Sequence, residues 1–270
     1  MKVDKKAVII DSLTHITPDG RWFTTSYDAS ITRLLREMDK SKVDRAVVVA
    51  LAGFIENSFV EDACKRYADR LIPCASINPS EFSNSADAAK QARVLLCDSR
   101  FPMLKLHPRL HKYDVLDSRC LSILDEIAQG KLPVAVWLDT LFRYNGAPMS
   151  RPPIEAIHEL VGKYPRIQFV LLHACGSEIL QLADAIRDCR NVLLDISYTL
   201  CRYKGSSVDL DLSYLFRHFD ERIVFGSDFP EISIEQALAD FESLSVGLSS
   251  EKKERLLGQN LSKLLNFGAF

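Results

Sequence analysis

Three of the six histidines in this chain, His15, His107 and His173, stand at the ends of short apolar runs, and Lys105 and Asp228 occupy similar places. Imidazole and carboxylate are ligands that suit zinc and similar divalent ions. The same groups move protons in general acid–base chemistry. Lys105, His107 and Arg109 are spaced two apart, which puts side chains on one face of a strand. A lysine inside an apolar run is expensive to bury unless paired, and an aspartate such as Asp228 is rarely buried without purpose. Arg109, Arg143 and Arg202 add cations near the same run ends, and guanidinium geometry matches carboxylate or phosphate. These residue types point to chemistry on a small, anionic substrate. Tyr198 follows another such run. His111, His158 and His218 fall in loop or helix positions and are expected to be structural or exposed.

The runs that would position these groups are 7–10, 46–51, 71–77, 103–106, 134–138, 167–172, 192–196 and 223–225. Continuous rather than alternating apolarity predicts strands buried on both faces, as in a parallel sheet. Helical periodicity lies between them: Ile31, Leu34, Leu35 and Met38; Cys120, Leu121, Leu124 and Ile127 before Gly130; Ile154, Ile157, Leu160 and Val161 after Pro152 and Pro153; and Ile179, Leu180, Leu182, Ala183 and Ile186. Proline at a helix start and glycine just past its end are the expected asymmetry. Eight strand–helix units predict a (β/α)₈ TIM barrel rather than an open sheet. The 270 residues suit one such domain spanning 1–270, with no Pro-, Gly- or Ser-rich linker to divide it. The longest irregular connections, 16–28 and 139–151, have the length of functional lids. In such barrels the chemistry sits at the C-terminal strand ends, where the candidates above are found.

Composition narrows the classes. A net charge of −2 lacks the basic excess of a nucleic-acid-binding domain. No apolar run approaches the ~20 residues of a membrane span, and residues 1–6 lack a secretory pattern. The seven cysteines form no C-x-x-C pair, which predicts reduced thiols and a cytoplasmic protein. Neither G-x-S-x-G nor G-x-G-x-x-G occurs, so nucleophile-elbow and dinucleotide-binding folds find no support.

Five segments, in order, resemble the amidohydrolase-related family, in the branch of aminocarboxymuconate semialdehyde decarboxylase. The segment 9–15 (IIDSLTH) is similar to that family's opening D-x-H-x-H. Residues 105–108 (KLHP), 170–176 (VLLHACG), 223–230 (IVFGSDFP) and 256–260 (LLGQN) are similar to its later motifs. The resemblance implies a metal-dependent hydrolase barrel with a small-molecule substrate, and a homodimer in many members. It implies one divalent ion, zinc foremost, with His15 and Asp228 at ligand positions. It gives His173 a catalytic part.

Two positions depart from the pattern. Leu13 and Trp137 replace family ligands, and neither side chain offers a lone pair. A catalytic zinc normally keeps three protein ligands. His107 or His173 joining His15 and Asp228 would make a rearranged set of three. The other expectation is a site without metal, for which some lactonases of the superfamily give precedent. Asp228 then acts as general base, with His173 and Lys105 completing the catalytic groups and Arg109, His107, Arg143, Tyr198 and Arg202 holding the substrate. The alternatives are a catalytically inactive barrel that binds a ligand or partner, and a decarboxylase, a chemistry that in the family leans on the metal.

Overall fold

The computed structural model describes residues 8–97, 101–130, 134–142 and 149–266. Eight strands lie in sequence order in one parallel sheet: β1 (Ile10–Thr14), β2 (Arg45–Val49), β3 (Leu71–Ser76), β4 (Met103–Leu106), β5 (Ala135–Asp139), β6 (Phe169–Leu172), β7 (Val192–Asp195) and β8 (Ile223–Val224). The chain beyond β8 closes the ring against β1. Ser12 N–H donates to the Phe225 carbonyl at 3.0 Å, Asp228 N–H to Leu13 at 3.0 Å and His15 N–H to Phe229 at 2.8 Å. The fold is the TIM barrel.

Two apolar cores explain why the strands read as unbroken hydrophobic runs. Along β5, Ala135 and Trp137 pack inside the barrel, while Val136 and Leu138 face the helices. In β2, Val47 and Val49 point in and Ala46 and Val48 point out. Both faces are apolar, so the period of two is hidden. Leu261 and Leu264, from the C-terminal helix Asn260–Asn266, belong to the interior core.

Outer helices follow the expected faces and caps. Helix Ile31–Ser41 buries Leu34 and Met38, and its Ser30 cap accepts from Arg33 N–H at 3.2 Å. Helix Ser118–Gln129 stops at Gly130. Helix Pro153–Lys163 buries Ile157, Leu160 and Val161. In helix Ile179–Ala185 the predicted face needs correction, because Leu180 is 39% exposed.

The first strand also needs correction. Among the described residues it spans Ile10–Thr14, beginning where the expected run 7–10 ends; Ala7 lies outside the described residues. Polar residues at 11, 12 and 14 disguise it in the sequence, yet all three are buried. Each makes a hydrogen bond across the sheet: Asp11 Oδ1 accepts from Ser227 N–H at 2.9 Å, Ser12 Oγ–H donates to Asp195, and Thr14 Oγ1–H donates to the Val47 carbonyl at 2.8 Å. Among the described residues no helix is long and apolar enough to cross a membrane.

Candidate active site

The C-terminal strand ends surround a cavity of about 130 Å³. His15, Lys105, His107, Arg109, His173, Tyr198 and Asp228 line it, brought together from the ends of five strands. Trp22 and Phe23 from the connection after β1, Leu51, Leu110, Leu141 and Glu231 complete the wall. Trp22 Nε1–H donates to Glu231 at 3.0 Å and its ring stacks on His15 at 5.1 Å. That contact ties the first and last strand-end loops across the opening.

One of the predicted substrate contacts falls elsewhere. Arg202 ends the short helix Thr199–Arg202, is exposed, and is not part of the cavity wall. The chain turns away after Tyr198, so strand-end proximity in sequence does not carry Arg202 to the opening. Arg143 lies outside the described residues. Arg109 and His107 reach the cavity by a different route from the one expected. β4 ends at Leu106, and a short helix, Pro108–His111, presents Arg109.

Backbone strain collects at this opening. His173, Tyr198 and Asp228 have φ values of +63°, +61° and +67°, in the left-handed region. Such conformations cost on the order of 1–3 kcal/mol each and persist where the surroundings over-determine them. Three separate strands end in this way at one cavity.

The electrostatics assign different states to similar groups. His15 donates Nδ1–H to the Val49 carbonyl at 2.7 Å, and burial followed by the Lys105 charge holds its pKa well below the ordinary value. It is therefore a neutral ring with Nε2 unprotonated. His173 donates Nδ1–H to the Ser197 carbonyl at 3.1 Å, while Nε2 sits 3.5 Å from Asp139 Oδ2. Burial opposes its charged form, but the Asp139 contact and the charges of Asp228 and Asp195 outweigh it and raise its pKa. Asp228 is raised to about 6, by burial first, with His173 and Lys105 pulling it down. Lys105 is 1% exposed. Burial lowers its pKa against the fields of Asp139 and Asp228.

One central residue was missing from the sequence-based site. Asp139 is fully buried at the end of β5 and faces Arg109 Nη2 at 3.1 Å, His173 Nε2 at 3.5 Å and His107 Nδ1 at 3.6 Å. Its position at a strand end was visible, but nothing in the sequence announced its partners. Asp195 was likewise overlooked as a support. It accepts from Ser12 Oγ–H, Ser197 Oγ–H and, at 3.1 Å, His173 N–H.

The residues present do not fit the ion that the resemblance implies. Leu13 is fully buried in the barrel interior. Trp137 fills the other ligand position and donates its indole N–H to the Ser12 carbonyl at 2.9 Å. Both nitrogens of His173 are engaged as described, so the rearranged set with His15 and Asp228 lacks a lone pair from it. Among the described residues no three His, Cys, Asp or Glu side chains are grouped to hold a metal.

A parallel barrel with strand-end histidines, a terminal Gly-Ser-Asp and a central cavity defines a barrel of the amidohydrolase type. The amidohydrolase family profile matches residues 10–267, and the chain belongs to that family. A search of curated protein sequences gives no match. Among solved structures, an uncharacterized TIM-barrel protein from Bordetella bronchiseptica aligns with a TM-score of 0.77 at 18% identity, covering 95% of this chain and 98% of that one. A probable 2-pyrone-4,6-dicarboxylic acid hydrolase from Acinetobacter baumannii, with citric acid bound, gives 0.67 at 16%, covering 95% and 98%. A 5-carboxyvanillate decarboxylase from Novosphingobium aromaticivorans, complexed with manganese, gives 0.68 at 12%, covering 96% and 96%. At these identities the likeness concerns the fold.

Proposed function

We propose that the protein is a hydrolase of a small anionic lactone, ester or amide, working through Asp228 and His173 without a metal ion. The observation that carries the reading is that Asp228 and His173, which act on each other electrostatically, line one cavity together with the buried Lys105. Asp228 takes a proton from water, and the oxygen attacks the substrate carbonyl carbon. The developing oxyanion is met by the cationic His173 and Lys105, whose charges act strongly in a dry site. The carbon–heteroatom bond then breaks, and the proton held by Asp228 passes to the leaving atom. Arg109 faces the substrate's own negative group, supported by His107 and Tyr198.

Size agrees with a small reacting portion. The cavity of about 130 Å³ is close to the ~150 Å³ that admits benzene. The Acinetobacter neighbour is a probable dicarboxylic acid hydrolase and holds citric acid, which is in keeping with anionic ligands in this fold. A decarboxylase reading gains nothing from Leu13 and Trp137.

The test is a panel of lactones and esters bearing one carboxylate, assayed with wild type and Asp228→Asn. A general base contributes roughly 10²–10⁴-fold, so kcat is expected to fall by about that factor with little change in KM. Equal turnover by the Asn variant overturns the reading, and turnover of no member leaves the ligand-binding barrel in its place.

A further inference from the structure

Asp139 does not line the cavity, yet three residues that do lie around its carboxylate. Arg109 approaches it as a fork, Nη2 to Oδ2 at 3.1 Å and Nε to Oδ1 at 3.4 Å. Oδ1 also accepts the Leu141 N–H at 3.3 Å, which fixes the carboxylate plane against its own strand end. β5 lies between β4 and β6 in the sheet. The carboxylate therefore bridges groups delivered by both neighbours: His107 and Arg109 from the β4 side, His173 from the β6 side. Among the described residues His107 Nδ1 has no hydrogen bond, and this carboxylate lies 3.6 Å from it.

The place of Asp139 along β5 is informative. It lies two residues beyond Trp137, on the same inward face, where the indole closes the position of a metal-binding imidazole. The Asp139 carboxylate supplies negative charge among these cationic groups. Uncompensated, Arg109, His173 and Lys105 repel one another in a low-dielectric site.

Resting on the hydrolase reading above, we propose that Asp139 is the positioning residue of this site: it locks the Arg109 fork so that the guanidinium meets the substrate's anionic group. It touches neither substrate nor reacting atoms and acts through Arg109, holding His173 and His107 in the same arrangement. A bidentate pair of this kind fixes direction as well as charge.

Benzoate and its neutral counterpart benzamide, titrated calorimetrically into the intact protein, separate this role from a merely structural one. Wild type is expected to bind benzoate at least tenfold more tightly than benzamide. Asp139→Asn is expected to lose that preference about tenfold while benzamide binding changes less than threefold. Arg109→Gln should lose it equally, and the double variant should bind benzoate no more weakly than Arg109→Gln alone. Additive losses, unchanged benzoate binding in Asp139→Asn, or no preference in wild type each overturn the proposal. Should Asp139→Asn fail to fold, Arg109→Lys serves: it keeps the charge and loses the fork, so retention of full benzoate affinity overturns the proposal. Failure here with Asp228-dependent turnover intact removes the role of Asp139 and leaves the hydrolase. Absence of turnover with the benzoate pattern intact does the reverse.

Discussion

His173 has a carbonyl on one nitrogen and a carboxylate facing the other, whereas Asp228 lies in the fields of His173 and Lys105. Both groups are shifted upward, so near neutral pH an ionised carboxylate faces a protonated imidazole, the base and the cation that the reaction uses. Asp228 is ionised above about pH 6, and His173 stays protonated to a pH above its ordinary 6.5. The pH profile of kcat/KM should therefore be bell-shaped, rising with an apparent pKa near 6 and falling above 6.5. A profile flat from pH 5 to 8 contradicts these roles. A second carboxyl, Asp11, sits beneath the site with Oδ2 buried and unbonded, and burial raises its pKa from 3.8 to about 7. Between those two values the folded chain holds a proton that the unfolded chain releases, so stability falls as pH rises. Asp11→Asn cannot ionise, and its melting temperature should decline less than that of wild type between pH 4 and 7. Parallel declines would remove Asp11 as a source of the slope. Such residues were only half legible beforehand. His15, Lys105, His173 and Asp228 stood out by type at run ends, but Asp139 and Asp195 draw their importance from partners up to 183 positions away in sequence.

At the scale of strands and turns, the close approach of the last strand end to its neighbours decides what the site can be. A Cβ on Gly226 would stand 2.5 Å from Asp195 Oδ2 and 2.6 Å from Ser12 Oγ. Asp195 has little room to yield, because it also accepts from the N–H groups of His173 and Ser197, both at 3.1 Å. Gly226→Ala is expected to cost roughly 1–3 kcal/mol as an overpacking change. It should also slow turnover, since it disturbs the support of His173. A denaturation midpoint equal to wild type would show that the network can open. Seven of the eight strands were legible because their runs are largely apolar on both faces, and the helix faces because their period of 3.6 survives in the sequence. β1 was misplaced because its polar residues look like a loop until the hydrogen bonds across the barrel are known. The departure of the chain after Tyr198 had no signal, because it depends on one left-handed residue that is not glycine.

For the whole molecule, the barrel delivers distant residues to one opening, and two substitutions inside it change what that opening can hold. Leu13 belongs to the apolar interior and Trp137 turns its indole to the Ser12 backbone, so the positions that resemble ligands serve packing instead. The order of motifs made the family legible from sequence, and the same comparison made the two departures visible. What could not be read was how the remaining charges are arranged, because that depends on the closed ring. The direct measurement is hydrolysis of an accepted carboxylate-bearing lactone or ester by protein stripped of divalent ions, before and after zinc or manganese is added back. The expected result is the same rate in both samples, with less than one-tenth equivalent of tightly bound ion. A rate that vanishes on stripping and returns with stoichiometric metal would contradict the assignment of the chemistry to Asp228, His173 and Lys105 alone.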